Sequence, residues 1–461
     1  MSSNAVFTVC SLLLLGLTFL FLRLRWSRLG VADMYVLMVS VFFGGYTLVD
    51  ALVRDLSFFD PTLGVLVLFL VAITTGAAWF IAKVLIPVEL QPELQLRYLV
   101  VQWLRADPWA ILLLLSLIVI FKVYSYQQYG VISNWDVDYF VFSEMELPYW
   151  FTSGTALVGP LIFCLFLAAA SRALVSRGKV RILWIATLAV VLFLAALYGR
   201  RSILYLLLML LILWSLVQGR NLFSLRSGPL VLAGLCVLAA LFIYSNLFQN
   251  YRATLPTSTA AAGTSEAPNF LDAAWDADAT LANLQTRVAM WQFNYLILDG
   301  QTTGSRVETP YGGILWQGFK NTVPKALWPE KTFSDLDEMV ANLYGLPPTD
   351  YPTNHFAVAQ ADFGYLSVII LPLQLLFVFV SMAVAVRATR RYPTLLLLLS
   401  GAFLYYFLTV EMNYADLFVL YRNVFLIAAV YLIVGVALNL PRAALRPRSK
   451  GPPSIRPEEF S

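Results

Sequence analysis

Apolar residues along this chain gather into long unbroken runs instead of alternating with polar ones. Eleven such runs stand out, at 5–22, 34–53, 63–86, 109–125, 153–171, 182–198, 202–217, 229–248, 365–386, 394–410 and 417–438. A helix that crosses a bilayer needs roughly 20 apolar residues, because the hydrocarbon core is about 30 Å thick and each residue rises about 1.5 Å. The pattern therefore predicts an all-α polytopic membrane protein with about eleven transmembrane helices.

Composition agrees. Of 461 residues, 60% are hydrophobic and only 13% charged, about half the charged share of a soluble domain. That excludes a soluble enzyme, a secreted module and a disordered chain. The net charge of +4 says less than where the charges lie. Arg23, Arg25 and Arg28 follow the first run and no basic segment precedes it, so it reads as an anchor with its N-terminus outside and not as a cleavable signal. Alternation then makes 23–33, 83–108, 172–181, 218–228, 387–393 and 439–461 cytoplasmic. These segments hold 20 of the 31 Lys/Arg and 6 of the 27 acids, a net of +14 against −10 for the rest. The positive-inside rule thus favours an N-out, C-in arrangement. Cys10, Cys164 and Cys236 all lie in apolar runs and read as inert buried thiols.

The same scheme divides the chain into helices 1–8 (1–248), a large outer loop (249–364), helices 9–11 (365–438) and a basic cytoplasmic tail (439–461). The short loops read as connectors. The acidic loop 126–150 carries Asp136, Asp138, Glu144 and Glu146, and the 116-residue loop 249–364 is long enough to be functional. No internal repeat is visible, which weakens a transporter built on inverted halves.

Within the large loop, 253–268 is small, polar and punctuated by Pro and Gly, the composition of a strap. From Leu281 the apolar positions Leu284, Val288, Trp291, Tyr295 and Leu298 recur by threes and fours. They predict an amphipathic helix at the membrane interface or across the bundle mouth, with Asp276 or Asp278 as N-cap. Ser334 and Asp337 predict the start of a short helix, and Gly345 its end before Pro347 and Pro348. The Trp, Tyr, Asn and Pro content of 309–366 suits a surface that handles sugars.

His355 is the single histidine. A neutral imidazole is well suited to take a hydroxyl proton near pH 7. Placed at the outer mouth beside Asn354 and near Asp362, it is either a base or an incidental loop residue. With no second histidine and the cysteines in membrane, no metal site is expected. Arg200 and Arg201 occupy a tight outer turn between two spans, against the positive-inside pattern. They either clamp an anionic ligand such as a pyrophosphate, whose oxygens fit the guanidinium fork, or pair with the acidic outer loops. Arg287 either joins them or reaches lipid phosphates; Arg252, Lys325 and Lys331 are weaker candidates. There is no phosphate-binding glycine loop, dinucleotide fingerprint or G-x-S-x-G elbow. Energy for any transfer must then come with the substrate.

The segment Thr322-Val323-Pro324-Lys325-Ala326-Leu327-Trp328-Pro329-Glu330-Lys331 is similar to a Pro-basic, Trp-Pro and Lys stretch of the bacterial O-antigen and exopolysaccharide repeat-unit polymerases (Wzy-type). Ala361-Asp362-Phe363-Gly364-Tyr365 resembles their aromatic-glycine element, and Gly199-Arg200-Arg201-Ser202 their G-x-R turn. Many spans with one large, late outer loop resemble the same family, which is related to O-antigen ligases in the wider GT-C glycosyltransferase group. The matching motifs cover about thirty residues. The resemblance implies an inner-membrane enzyme acting at the periplasmic face. It would polymerise undecaprenyl-pyrophosphate-linked oligosaccharide units, which serve as both donor and acceptor. It implies no metal, nucleotide or other cofactor and no nucleic acid, with a flippase and a chain-length regulator as partners. Carried over by residue, His355 would be the base, and Arg200, Arg201 and Arg287 the pyrophosphate clamp. Many members have a glutamate before the aromatic-glycine element where this chain has Gln360, so Asp362 is the other candidate base.

Three alternatives remain: an O-antigen ligase-type transferase; a polyprenyl-phosphate-sugar-dependent GT-C enzyme using Asp136 and Asp138; and a polysaccharide or lipid transporter, which would place charges at mid-span.

Overall fold

The computed structural model describes residues 2–129, 149–198, 200–219, 290–302, 309–323, 327–328, 330, 336–346, 353–410 and 413–445. Among them every regular element is helical, apart from one isolated antiparallel bridge between Gly30 and Gln95. In chain order the helices are α1 (Ser3–Arg25), α2 (Val31–Val53), α3 (Pro61–Leu85), α4 (Leu96–Leu104), α5 (Pro108–Tyr129), α6 (Tyr149–Val175), α7 (Gly178–Tyr198) and α8 (Arg200–Val217). Then follow α9 (Met290–Thr302), α10 (Gly313–Thr322), α11 (Leu336–Leu343), α12 (His355–Phe363), α13 (Ser367–Thr389), α14 (Pro393–Leu408) and α15 (Leu417–Leu445).

Eight segments among the described residues are long and apolar enough to cross a membrane, and two shorter apolar helices lie at Tyr205–Val217 and Pro393–Leu408. The protein is a polytopic membrane protein. Ten of the eleven apolar runs are helices; the run 229–248, like the strap 253–268, lies outside the described residues.

Polar contacts gather the helix ends into two sets. At one end of the bundle Asp33, fully buried at the start of α2, accepts from Arg25 Nε (3.0 Å), Trp79 Nε1 (2.8 Å) and the Gly30 amide (2.7 Å), with Lys83 Nζ at 3.8 Å. Thus α1 ends, α2 begins and α3 ends in one place. Arg172 of α6 donates to the carbonyls of Leu104 and Ala106 and covers the Trp184 ring, and the Thr394 hydroxyl accepts from the Asp107 amide at 2.9 Å. These are the ends that alternation places on a single side of a membrane.

The stretch 83–108 is more than a connector. Helix α4 buries Leu96, Leu99, Val100 and Trp103, and Trp103 Nε1 donates to Ser400 Oγ at 2.9 Å. Its apolar positions at i, i+3, i+4 and i+7 make one stripe, which docks on α14 and α6. A span scan passes over nine residues of this kind because they are too short to cross.

Candidate functional site

The opposite end of the bundle holds the part of the long loop that the structure describes. Helix α9 buries Met290 through Tyr295, Ile297 and Leu298. A helix buried all round is enclosed by other elements, so α9 is set into the bundle mouth and does not lie on a lipid surface. The first half of the expected amphipathic helix, with Asp276, Asp278 and Arg287, falls outside the described residues. Trp291 Nε1 donates to Asp50 Oδ2 at 2.7 Å, Asp50 pairs with Arg54 one turn later at 3.4 Å, and Arg54 reaches Gln292 Oε1 at 3.4 Å. Tyr295 Oη accepts from the Asp60 amide at 3.0 Å. Asn4 closes the corner, donating to the carbonyls of Ala51 and Arg54 and accepting from the Leu56 amide.

Helix α11 ends as its sequence predicts. Gly345 takes the left-handed conformation (φ 62°), and the Leu346 amide donates back to the Ala341 carbonyl at 2.8 Å. Behind it, Gln301 Nε2 donates to Tyr344 Oη (2.8 Å) and to the Gln360 carbonyl (3.0 Å). Burial pushes the Tyr344 phenol up to about 12, so it stays a neutral hydrogen-bonding group at physiological pH.

Helix α12 carries both candidate bases. Asn354 caps it, its Oδ1 accepting from the amides of Phe356 (3.1 Å) and Ala357 (2.9 Å), while its Nδ2 donates to Asn294 Oδ1 of α9 at 2.9 Å. An Asn at the N-cap satisfies amides that the first helical turn leaves open. His355 is therefore the first helical residue. It does not sit at an open mouth: its side chain is fully buried, with the ring 5.0 Å from that of Tyr406. Neither imidazole nitrogen has a hydrogen-bond partner among the described residues.

Asp362 lies seven residues further on, about two turns and roughly 10 Å along the same helix face, so the two residues do not form a dyad. Its carboxylate is fully engaged elsewhere. Oδ1 accepts from the amides of Gly312 (2.8 Å) and Ile314 (3.2 Å), and Oδ2 from the Leu315 amide (2.9 Å) and the Tyr414 hydroxyl. The reason is local. Helix α10 begins at Gly312-Gly313, which have no side chain to cap it, so an acid from α12 supplies both the acceptors and the negative charge its N-terminus favours. Gly364, at φ 56°, then turns the chain out of α12 into α13.

No protein-family model matches the chain, and neither the curated proteins nor the solved structures give a match.

Of the residues singled out in the sequence, the structure places His355 and Asp362 in this layer. Helix α7 ends at Tyr198, and Arg200 and Arg201 open α8; Gly199 between the two helices and the side chains of both arginines lie outside the described residues. Arg252, Arg287, Lys325 and Lys331 are outside the described residues altogether. Sequence reasoning missed Asp50, Arg54, Trp291, Asn294, Tyr406 and Tyr414. Asp50 had a usable signal, since an acid inside an apolar run needs a partner and Arg54 stands four residues on. Two of the cavities among the described residues bear on the bundle and this layer. One of about 290 Å³ lies between α3, α9, α12 and α13 and is lined in part by Thr74, Asn294, Gln360 and Ser367. The other, almost wholly apolar, lies between α5, α6, α14 and α15, beside Leu114, Leu161, Leu398 and Ile427 and toward the end where Asp107 meets Thr394.

Proposed function

We propose that this protein is a membrane glycosyltransferase that polymerises undecaprenyl-pyrophosphate-linked oligosaccharide units at the periplasmic face of the bacterial inner membrane, in the N-out, C-in orientation. The observation that carries this reading is His355. The only imidazole in the chain is set in a polar layer where loop helices enter an apolar bundle, with both ring nitrogens uncommitted. A polar sugar on an apolar carrier needs such a junction.

In the proposed step a hydroxyl oxygen of the acceptor unit bonds to the anomeric carbon of the donor glycan. The bond from that carbon to the pyrophosphate oxygen breaks, undecaprenyl pyrophosphate leaves with the electron pair, and His355 takes the hydroxyl proton. Arg200, Arg201 and Arg287 stand as its clamp. Guanidinium groups fixed near a leaving group that gains charge stabilise the transition state more than the ground state. Asp362 serves this scheme by holding α10 against α12, since its oxygens already accept four hydrogen bonds. Substrate reaches His355 only if the loop helices part, a motion of the kind that closes many active sites to water.

The test is reconstitution in proteoliposomes with lipid-pyrophosphate-linked repeat units and neither nucleotide nor added metal. A ladder of products several units long supports a polymerase. A single transfer onto a different acceptor points to a ligase, and intact substrate on the opposite leaflet to a transporter.

A further inference from the structure

Three buried polar side chains from three separate helices are left without hydrogen-bond partners among the described residues. His355 of α12 is 0% exposed, Tyr35 of α2 1% and Tyr406 of α14 2%. The rings of His355 and Tyr406 lie 5.0 Å apart, and Tyr35 packs edge-on to Phe407, the residue after Tyr406, at 6.2 Å. Tyr35 and Tyr406 are also electrostatic neighbours. Four polar atoms result, His355 Nδ1 and Nε2 and the two phenol oxygens, and none has a hydrogen-bond partner among the described residues. Buried polar groups are paired in almost all native proteins, and leaving one unpaired is destabilising. Apolar packing alone would select Phe at both tyrosines and Leu or Phe at the histidine.

The inventory of donors and acceptors narrows what fits. A neutral imidazole offers one donor and one acceptor, and each phenol offers both. No fixed charge is among the three groups, so an ion is a poor match. A small hydroxylic oxygen, which donates once and accepts up to twice, can bond one imidazole nitrogen and the phenol hydroxyls, and so matches three of the four atoms.

We propose that His355, Tyr406 and Tyr35 form a buried binding site for one hydroxyl group, filled by water in the resting protein and by the acceptor hydroxyl of a sugar when substrate is bound. The sugar half rests on the glycosyltransferase reading; the water half does not. Tyr406 is then a positioning residue, which fixes the imidazole tautomer and holds the hydroxyl on it.

A single histidine makes the test direct. The full-length protein, labelled only with ¹⁵N-histidine and embedded in lipid bilayers, gives one imidazole in a solid-state NMR spectrum. Magnetisation transfer from water to the imidazole N–H is expected, with loss of that transfer and a shifted ¹⁵N resonance in Tyr406→Phe. Tyr35→Phe provides a second variant, and the wild-type transfer needs no variant at all. An imidazole with no water transfer, unmoved by either substitution, overturns the inference. Adding lipid-pyrophosphate-linked oligosaccharide separates the two sources of the hydroxyl. Replacement of the water signal by a sugar contact supports the sugar half, and persistence of the water signal beside bound glycan overturns it. None of these spectra requires turnover, so a failed product assay and a failed hydroxyl site remain distinguishable.

Discussion

Replacing Asp362 with Asn separates an anchoring carboxylate from a catalytic one. The carboxylate accepts four hydrogen bonds, two on each oxygen. Asn keeps one acceptor oxygen and turns the other into an NH2 donor. With the NH2 on the Oδ2 side it faces the Leu315 amide, while the Tyr414 hydroxyl can turn and accept from it; with the NH2 on the Oδ1 side it faces the amides of Gly312 and Ile314. The cheaper orientation leaves one donor unpaired, so the cost is about 1–3 kcal/mol, before counting the lost charge at the start of α10. That is a sizeable part of the whole stability of many domains, which is about 5–15 kcal/mol. The assay is thermal unfolding of purified protein in detergent. A clear fall in the unfolding midpoint is expected, together with protease sensitivity at α10 (Gly313–Thr322). An Asn variant that unfolds with the wild type yet transfers no sugar would falsify the anchoring role and return Asp362 to the part of a base.

Other consequences follow the same logic. Trp291→Phe keeps the aromatic packing against Phe7 and Phe59 but removes the bond to Asp50, and should lower stability by about 1.5–3 kcal/mol, the worth of a hydrogen bond to a charged group; denaturant titration checks it. Asp33→Asn orphans Arg25 and Lys83 at the other end of the bundle. Because both cations keep about 30% exposure, the loss should be roughly 2–4 kcal/mol, below the full cost of breaking a buried pair, with a lower unfolding midpoint in detergent. At Gly401 an added Cβ would run into the Cys164 side chain, where α14 crosses α6. Gly401→Ala should therefore destabilise by about 1–3 kcal/mol as overpacking does, and Cys164→Ala in the same chain should recover part of it, read as a double-mutant cycle.

The bundle was legible because an apolar run as long as the hydrocarbon core has few alternatives, and the Arg23–Arg28 and Lys83 clusters mark which helix ends share a side. The described part of the loop was legible only where local chemistry acts: the apolar spacing through Trp291, Tyr295 and Leu298, and the stop at Gly345. Contacts across the chain were not legible. Asp362 caps a helix 50 residues earlier, and nothing local in Gly312-Gly313 states which acid will do so. The burial of His355 was missed for a related reason. A loop position just after Pro347, Pro348 and Pro352 reads as surface, whereas Asn354 reaches Asn294 across 60 residues and carries the start of α12 inside. Helix α4 escaped because its stripe is nine residues long, too short for a span and too apolar for a linker.

The central claim is that His355 takes the acceptor proton in a lipid-linked glycosyl transfer. Its most direct test compares product ladders from wild type and His355→Ala, reconstituted at equal density and with equal unfolding midpoints, on lipid-pyrophosphate-linked repeat units. Loss of a general base typically lowers the rate about 10²–10⁴-fold, so the ladder should collapse to unextended units in the variant while substrate binding persists. A ladder of unchanged length and rate in His355→Ala contradicts the account.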